Sequence, residues 1–289
     1  MAALSTAFVV LAAFFWGVSG GIGGILLANG WEPSVVSFYR GAVGLVMVLA
    51  WLAMQPRGSG LDDGRLWFWS VVAGLGVAGN FAFYFLSMAE GSVAVAVTLM
   101  YCAPVFVYLI SLLAGIERSS PVKWGAIMLV MLGIVLLTRP YDVGAAGVTA
   151  FGIGAGLLAG LSYAVFIFGF KFAAPRGSPQ AVLAIAFATL VAVLIWSADA
   201  DQGVAALSSS DASLFVALGV LGAGLSFFLY VMGLRWTTPV IAAIVAMIEP
   251  VTASLFGILL LGEALGAQQL LGMGLILVTV TGLAAYAST

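Results

Sequence analysis

The chain has 289 residues, of which 64% are hydrophobic and only 7% charged, with a net charge of −2. A soluble domain carries about 25% charged residues, so most of this chain must face lipid or itself, and backbone in hydrocarbon must be paired as helix or closed barrel. With no histidine and a single cysteine, Cys102, it lacks the means for Ser-His catalysis, HExxH or CxxC metal binding and haem ligation by His; nor does it offer a basic face for nucleic acid.

A membrane barrel would show alternating segments of about ten residues. The apolar runs here are continuous and about twenty residues long, the length that crosses a hydrocarbon core as a helix. Taken in chain order, with Pro, Gly and charge clusters as breaks, they predict spans over 5–28, 33–55, 66–87, 92–113, 121–139, 148–171, 179–198, 212–234, 239–261 and 267–286. The first run has no basic stretch before it and is expected to be a retained helix rather than a secretory signal. The loops are short, the longest being Pro56–Arg65 and Asp199–Asp211.

Basic residues gather on alternate loops. Arg57, Arg65, Arg118, Lys123, Lys171, Arg176 and Arg235 fall in or beside the even loops, whereas the odd loops hold only Arg139 and Arg40 lies inside a span. The positive-inside rule then predicts that both termini are cytoplasmic.

An internal repeat is visible. Ala78-Gly79 leads through an aromatic-rich span to Pro104 and then Glu117, thirteen residues on; Ala223-Gly224 leads likewise to Pro250 and then Glu263, again thirteen residues on. Five spans per half is an odd number, so residues 141–289 should repeat residues 1–140 in the opposite orientation. Inverted repeats are typical of alternating-access transporters, whose site lies near the midplane at the repeat interface.

Trp16-Gly17, Pro33 with Arg40, Tyr101-Cys102-Ala103-Pro104, Glu249-Pro250 and the segment LLLGEALGAQQLLGMGLILVTVTG from Leu259 to Gly282 carry a resemblance to the drug/metabolite transporter superfamily. The resemblance is to its ten-helix branch with two EamA-type repeats, and within it to bacterial aromatic amino-acid exporters. It implies an all-α membrane protein of ten helices, with the first, third, fourth, sixth, eighth and ninth lining a central cavity and the fifth and tenth as peripheral scaffold. The small four-helix multidrug relatives carry a carboxylate in their first helix; this first span has none, which argues against proton-for-cation exchange of that kind.

Polar groups inside the membrane need a reason to be there. Glu249 lies about 15 Å into its span at helical rise, as a proton-coupling carboxylate, a ligand for a substrate ammonium, or a satisfied structural group beside the Pro250 kink. Arg40, about 10 Å deep, is a candidate for holding a substrate carboxylate or a gate; its structural alternative is to pair with Glu249 or with helix-end carbonyls. Asn80 and Tyr84 share a helix face, as do Ser226 and Tyr230 in the second half, fitting either cavity walls or helix–helix contacts. Trp16, Ser162, Tyr163 and Phe166 occupy matching places in the first and sixth spans, with Trp16 and Tyr163 too deep to be headgroup anchors. Met100 and Tyr101 precede Pro104 as Ala246 to Glu249 precede Pro250, and the two prolines are candidate hinges. Small-residue spacings such as Gly17-xxx-Gly21 and Gly152-xxx-Gly156-xxx-Gly160 predict close helix packing.

The expectation is therefore a non-enzymatic secondary transporter in a bacterial inner membrane, exporting amino acids, aromatic or hydrophobic ones above all, as a monomer or weak homo-oligomer. No GxxxxGK[ST] loop is present, which excludes ATP hydrolysis on this chain; protons are the candidate coupling partner, and no cofactor or metal is expected. Carriage of other metabolites, drugs, nucleotide sugars or phosphate esters is the alternative, although phosphate recognition calls for several Arg or Lys. A channel or an intramembrane enzyme is a more distant one, and every aspartate lies in a loop, so an intramembrane Asp dyad is absent.

Overall fold

Apolar runs bounded by proline and short polar caps fold as helices throughout. The computed structural model describes residues 2–56, 58–142 and 148–288, and among them every regular element is helical. Arg57, which enters the charge count, and the terminal Met1 and Thr289 lie outside the described residues. In order the helices are α1 (Ala2–Ala28), α2 (Pro33–Met54), α3 (Gly64–Ala89), α4 (Val93–Met100), α5 (Ala103–Leu113), α6 (Pro121–Thr138) and α7 (Ala150–Ala173). They continue with α8 (Pro179–Leu194), α9 (Ala200–Ser208), α10 (Ala212–Gly219), α11 (Ser226–Leu234), α12 (Pro239–Ala246), α13 (Ile248–Leu261) and α14 (Ala267–Ser288).

Pro33, Pro121, Pro179 and Pro239 each open a helix, where the missing N–H would have had no helical partner anyway. Ser92, Thr149 and Ser178 cap α4, α7 and α8 by accepting backbone N–H groups of Val95, Gly152 and Ala181. Asp63 caps α3 through the Arg65 N–H at 2.8 Å. That bond, with Arg176 close by, holds its exposed carboxyl below the usual range; the cap contributes above the ordinary carboxylate pKa and is lost as pH falls through the lowered one.

Nine segments of 18–26 residues are long and apolar enough to cross a membrane among the described residues. The tenth, α8, has 16 residues, about 24 Å at helical rise, and its run ends in the exposed Ile195 and Trp196. Two spans are broken: α4 gives way to α5 at Tyr101-Cys102, and α12 to α13 at Met247. The eighth span runs from α10 to α11 through a π-helical stretch, Val220–Leu225. A nine-residue helix, α9, occupies the loop after α8 and was not foreseen from the sequence.

Exchanging the two halves preserves the main packing contacts. The third span lies along the sixth (α3 on α7), and the eighth lies along the first (α10, the π stretch and α11 on α1). The third packs on the seventh (α3 on α8) as the eighth packs on the second; α6 packs on α14, and α2 on α8. Because each half has five spans, the second must run opposite to the first. Ser5 Oγ donates to the Gly233 carbonyl at 2.5 Å and bonds Thr237 Oγ1 at 2.8 Å, so the start of α1 sits on the face of the even loops. On the other face Trp31 Nε1 and Asn29 Nδ2 both donate to Asp211, at 2.8 and 3.0 Å.

Candidate central cavity

Gly17 and Gly21 bring α1 onto α13: a Cβ on Gly17 would meet the Glu249 carbonyl and Thr252, and one on Gly21 would meet the Phe256 ring. Gly152, Gly156 and Gly160 do the same for α7 against Glu90, Leu99 and Met100. These close approaches are the packing contacts expected of small residues in membranes, and they seat α1 and α7 on either side of a central space.

That space is a cavity of about 450 Å³. Its mouth is bordered by Leu27, Val36, Ser37, Val93, Leu137 and Thr138, near the odd-loop ends of their helices. It ends halfway through the molecule on Trp16, Tyr163, Phe166 and Phe227. Trp16 is the centre of this floor. Its ring meets Phe227 at 4.9 Å, Tyr230 at 4.8 Å, Phe166 at 6.3 Å and Tyr163 at 6.4 Å between centroids. Beyond it, towards the even loops, Val9, Leu66, Phe170, Val231 and Leu234 are fully buried. The cavity is thus open to one face and closed to the other.

Of the residues singled out from the sequence, Trp16, Arg40, Asn80, Tyr84, Met100, Tyr101, Tyr163, Phe166, Glu249 and Pro250 border this cavity. Four do not. Ser226 and Tyr230 are fully buried, Tyr230 beneath Trp16; Ser162 lies against Gly79 where α7 crosses α3; Pro104 is enclosed in the first turn of α5. The second span and the end of α6 also contribute wall, through Val36, Ser37, Arg40, Leu137 and Thr138. The fifth span is therefore not purely scaffold. Phe81 and Phe227 line the cavity and were missed, although the repeat offset that pairs Asn80 with Ser226 pairs them too.

The broken helices place the charges. The break at Met247 leaves Glu249 in the first turn of α13, at the positive end of that helix, where its Oε2 accepts from the Tyr163 hydroxyl at 3.5 Å. Across the cavity Arg40 donates from Nε to the Gly222 carbonyl at 3.0 Å, in the π stretch, where the wider turn leaves carbonyls available. Its guanidinium lies 5.3 Å from the Phe81 ring centroid, within cation–π range. Ion pairs among the described residues are Lys123–Glu117, Arg139–Asp142 and Arg176–Asp63. Arg40 and Glu249 border one cavity without forming an ion pair with each other. Asn80 donates to the Ala159 carbonyl at 3.0 Å, joining α3 to α7 as well as lining the wall. Among the described residues, no group of three or more His, Cys, Asp or Glu could hold a metal.

Residues 4–139 and 150–285 each match the EamA-like transporter family. An uncharacterized transporter of Archaeoglobus fulgidus is 31% identical over 203 residues, 69% of this chain and 70% of that protein. The uncharacterized transporter YwfM of Bacillus subtilis is 25% identical over 277 residues, 93% of this chain and 90% of its own. A protein of known crystal structure has the same fold, with a TM-score of 0.75 and 18% identity over 98% of this chain and 97% of that one.

Proposed function

The chain belongs to the EamA-like transporter family, and from that premise we propose that it is a secondary carrier exporting amino acids, aromatic and hydrophobic ones first, by alternating access. The observation that carries this reading is a cavity, about 450 Å³ and walled largely by aromatic and aliphatic side chains, whose lining among the described residues has one basic and one acidic side chain, Arg40 and Glu249, not paired with each other. Its volume lies within the roughly 300–1,000 Å³ of small-molecule sites. Arg40 takes the substrate carboxylate, its fork suited to two parallel bonds. Glu249 takes the ammonium or exchanges a proton against it. The Trp16, Tyr163, Phe166 and Phe227 floor receives the side chain by stacking and edge contacts.

A phosphate-ester carrier would need several cations around the ligand, and among the described residues Arg40 is the one basic residue on the cavity wall; the amino-acid reading fits better. The bias of basic residues to the even loops supports placing both termini in the cytoplasm of a bacterial cell, and the cavity mouth outside.

Liposomes holding the purified protein and preloaded with labelled phenylalanine, tyrosine, tryptophan, leucine or glutamate test this. Faster release of the first four than from protein-free liposomes loaded in the same way is expected. Glu249→Gln should lower the rate by about tenfold, the loss of one charge-assisted contact, and flatten its pH dependence. Release of some other solute class with none of the twenty amino acids would overturn the assignment, and a wild-type pH profile in Glu249→Gln would remove the proton from it.

A further inference from the structure

Glu117 and Glu263 are related by the same offset of 146 residues that relates Pro104 to Pro250. Both sit in the same local turn. The Glu117 N–H donates to the Ser111 carbonyl at 3.2 Å, and the Glu263 N–H to the Gly257 carbonyl at 3.0 Å, with Ser111 and Gly257 again 146 apart. Yet the two carboxylates have opposite fates.

Glu117 is buried, its side chain 5% exposed, and it pairs with Lys123. From the first half it reaches the second, where its Oε1 accepts from the Val240 N–H at 3.4 Å at the start of α12. Thr238, the residue placed to cap that helix, makes no cap bond, and its buried hydroxyl has no partner among the described residues. Glu263 is exposed and lies back over Gly257 of its own turn. The helix it would reach by symmetry, α4, is capped instead by its own Ser92, which accepts from Val95 at 3.2 Å. Ser92 and Thr238 are 146 residues apart, as are Ala94 and Val240.

The difference follows the cavity. Val93, at the start of α4, borders the mouth; the start of α12 lies at the closed end. A helix start carries free N–H groups and a positive dipole end that some acceptor must satisfy. At the open end the helix satisfies itself with its own serine; at the closed end a glutamate from the other half takes over and ties the halves together.

We propose that Glu117 and Glu263 are a pair of alternating gate latches, each closing its own face by capping a helix of the opposite half. When the cavity opens to the even-loop face, Glu117 leaves Val240 and Thr238 caps α12 through the Ile241 N–H. Glu263 then takes the Ala94 N–H and Ser92 lets go. The latches are unequal. The position of Lys123 is held in the second half by Gln269, which bonds the Leu137 carbonyl and the Gly266 N–H. Among the described residues the even-loop latch therefore has an ion-pair partner and Glu263 has none, and the molecule rests with its mouth open at the Glu263 face.

This inference rests on the alternating-access reading, and pulsed-EPR distances test it without any solute. With Cys102→Ala, one spin-label pair at Ser119 and Trp236 reports the even-loop face, and another at Ala89 and Ala264 reports the odd-loop face. The parent should show mainly a short even-face and a long odd-face distance. Glu117→Ala should raise the population with a long even-face and short odd-face distance by about tenfold, the worth of a charge-assisted hydrogen bond. Glu263→Ala should lower that population. If Glu117→Ala does not fold, Glu117→Gln, which keeps an acceptor but loses the charge facing Lys123, should shift the distances in the same direction to a smaller extent. Unshifted distances in the folded Glu117 variants, or a shift of both glutamate variants in one direction, would overturn the latch. Failure of the carrier reading would look different: the distances would shift as expected while liposomes showed no solute flux.

Discussion

Trp16 meets four aromatic rings at the point where the cavity stops, so its side chain is at once floor and keystone of the closed half. Each edge contact contributes about 0.5–1.5 kcal/mol beyond area burial, and truncating a buried aromatic costs about 3–5 kcal/mol. Trp16→Ala should accordingly lower the melting temperature in detergent sharply and leave the chain leaky to its solute, whereas Trp16→Phe should keep most of the stability. Equal melting of the alanine variant and the parent would show that the floor does not depend on it. The depth of Trp16 was legible from its place in the span, too far inside for a headgroup anchor. What was not legible is the fate of Ser226 and Tyr230. The repeat assigns them the role of Asn80 and Tyr84, yet both are fully buried here while their mates face the cavity. A sequence pattern treats the halves alike; one conformation, open to one face, cannot. Their hydroxyls lack partners among the described residues, a cost of about 1–3 kcal/mol each that is expected to be relieved when the opposite cavity opens.

At the scale of the helix, the prolines were readable but the place of the break was not. Pro104 and Pro250 cannot donate to the carbonyls of Met100 and Ala246, and each ring crowds the residue four before it. The upstream helix therefore ends at that residue, and the turn falls at Tyr101-Cys102 and at Met247, three residues earlier than a kink at the proline itself. This shift puts Glu249 in the first turn of α13, which composition alone could not reveal. If the breaks are hinges, Pro250→Ala should restore the N–H to the Ala246 carbonyl, stiffen the ninth span, and slow transport several-fold without loss of thermal stability. An unchanged rate would leave the breaks as static devices for placing Glu249. The π stretch that offers the Gly222 carbonyl to Arg40 had no signal beyond Gly222 and Gly224 in an apolar run. Such insertions depend on tertiary packing rather than local propensity.

At the scale of the molecule, ten apolar runs and the matched spacing from Pro to Glu were enough for the architecture. Hydropathy has few alternatives to satisfy in lipid, and the repeat forces an inversion once each half has five spans. The same repeat explains the shared main packing contacts of the halves and the cavity between them. The substrate is a finer matter, set by a few wall residues that a tolerant aromatic surface leaves broadly defined. A carrier whose cavity reaches only one face at a time must exchange solute by turning over; a pore open to both need not. Counterflow measures this difference. Liposomes loaded with unlabelled phenylalanine and diluted into trace labelled phenylalanine should accumulate label transiently above its equilibrium level, and the overshoot should vanish when the inside is empty. Uptake that rises monotonically to equilibrium, alike with loaded and empty liposomes and without saturation, would contradict the account.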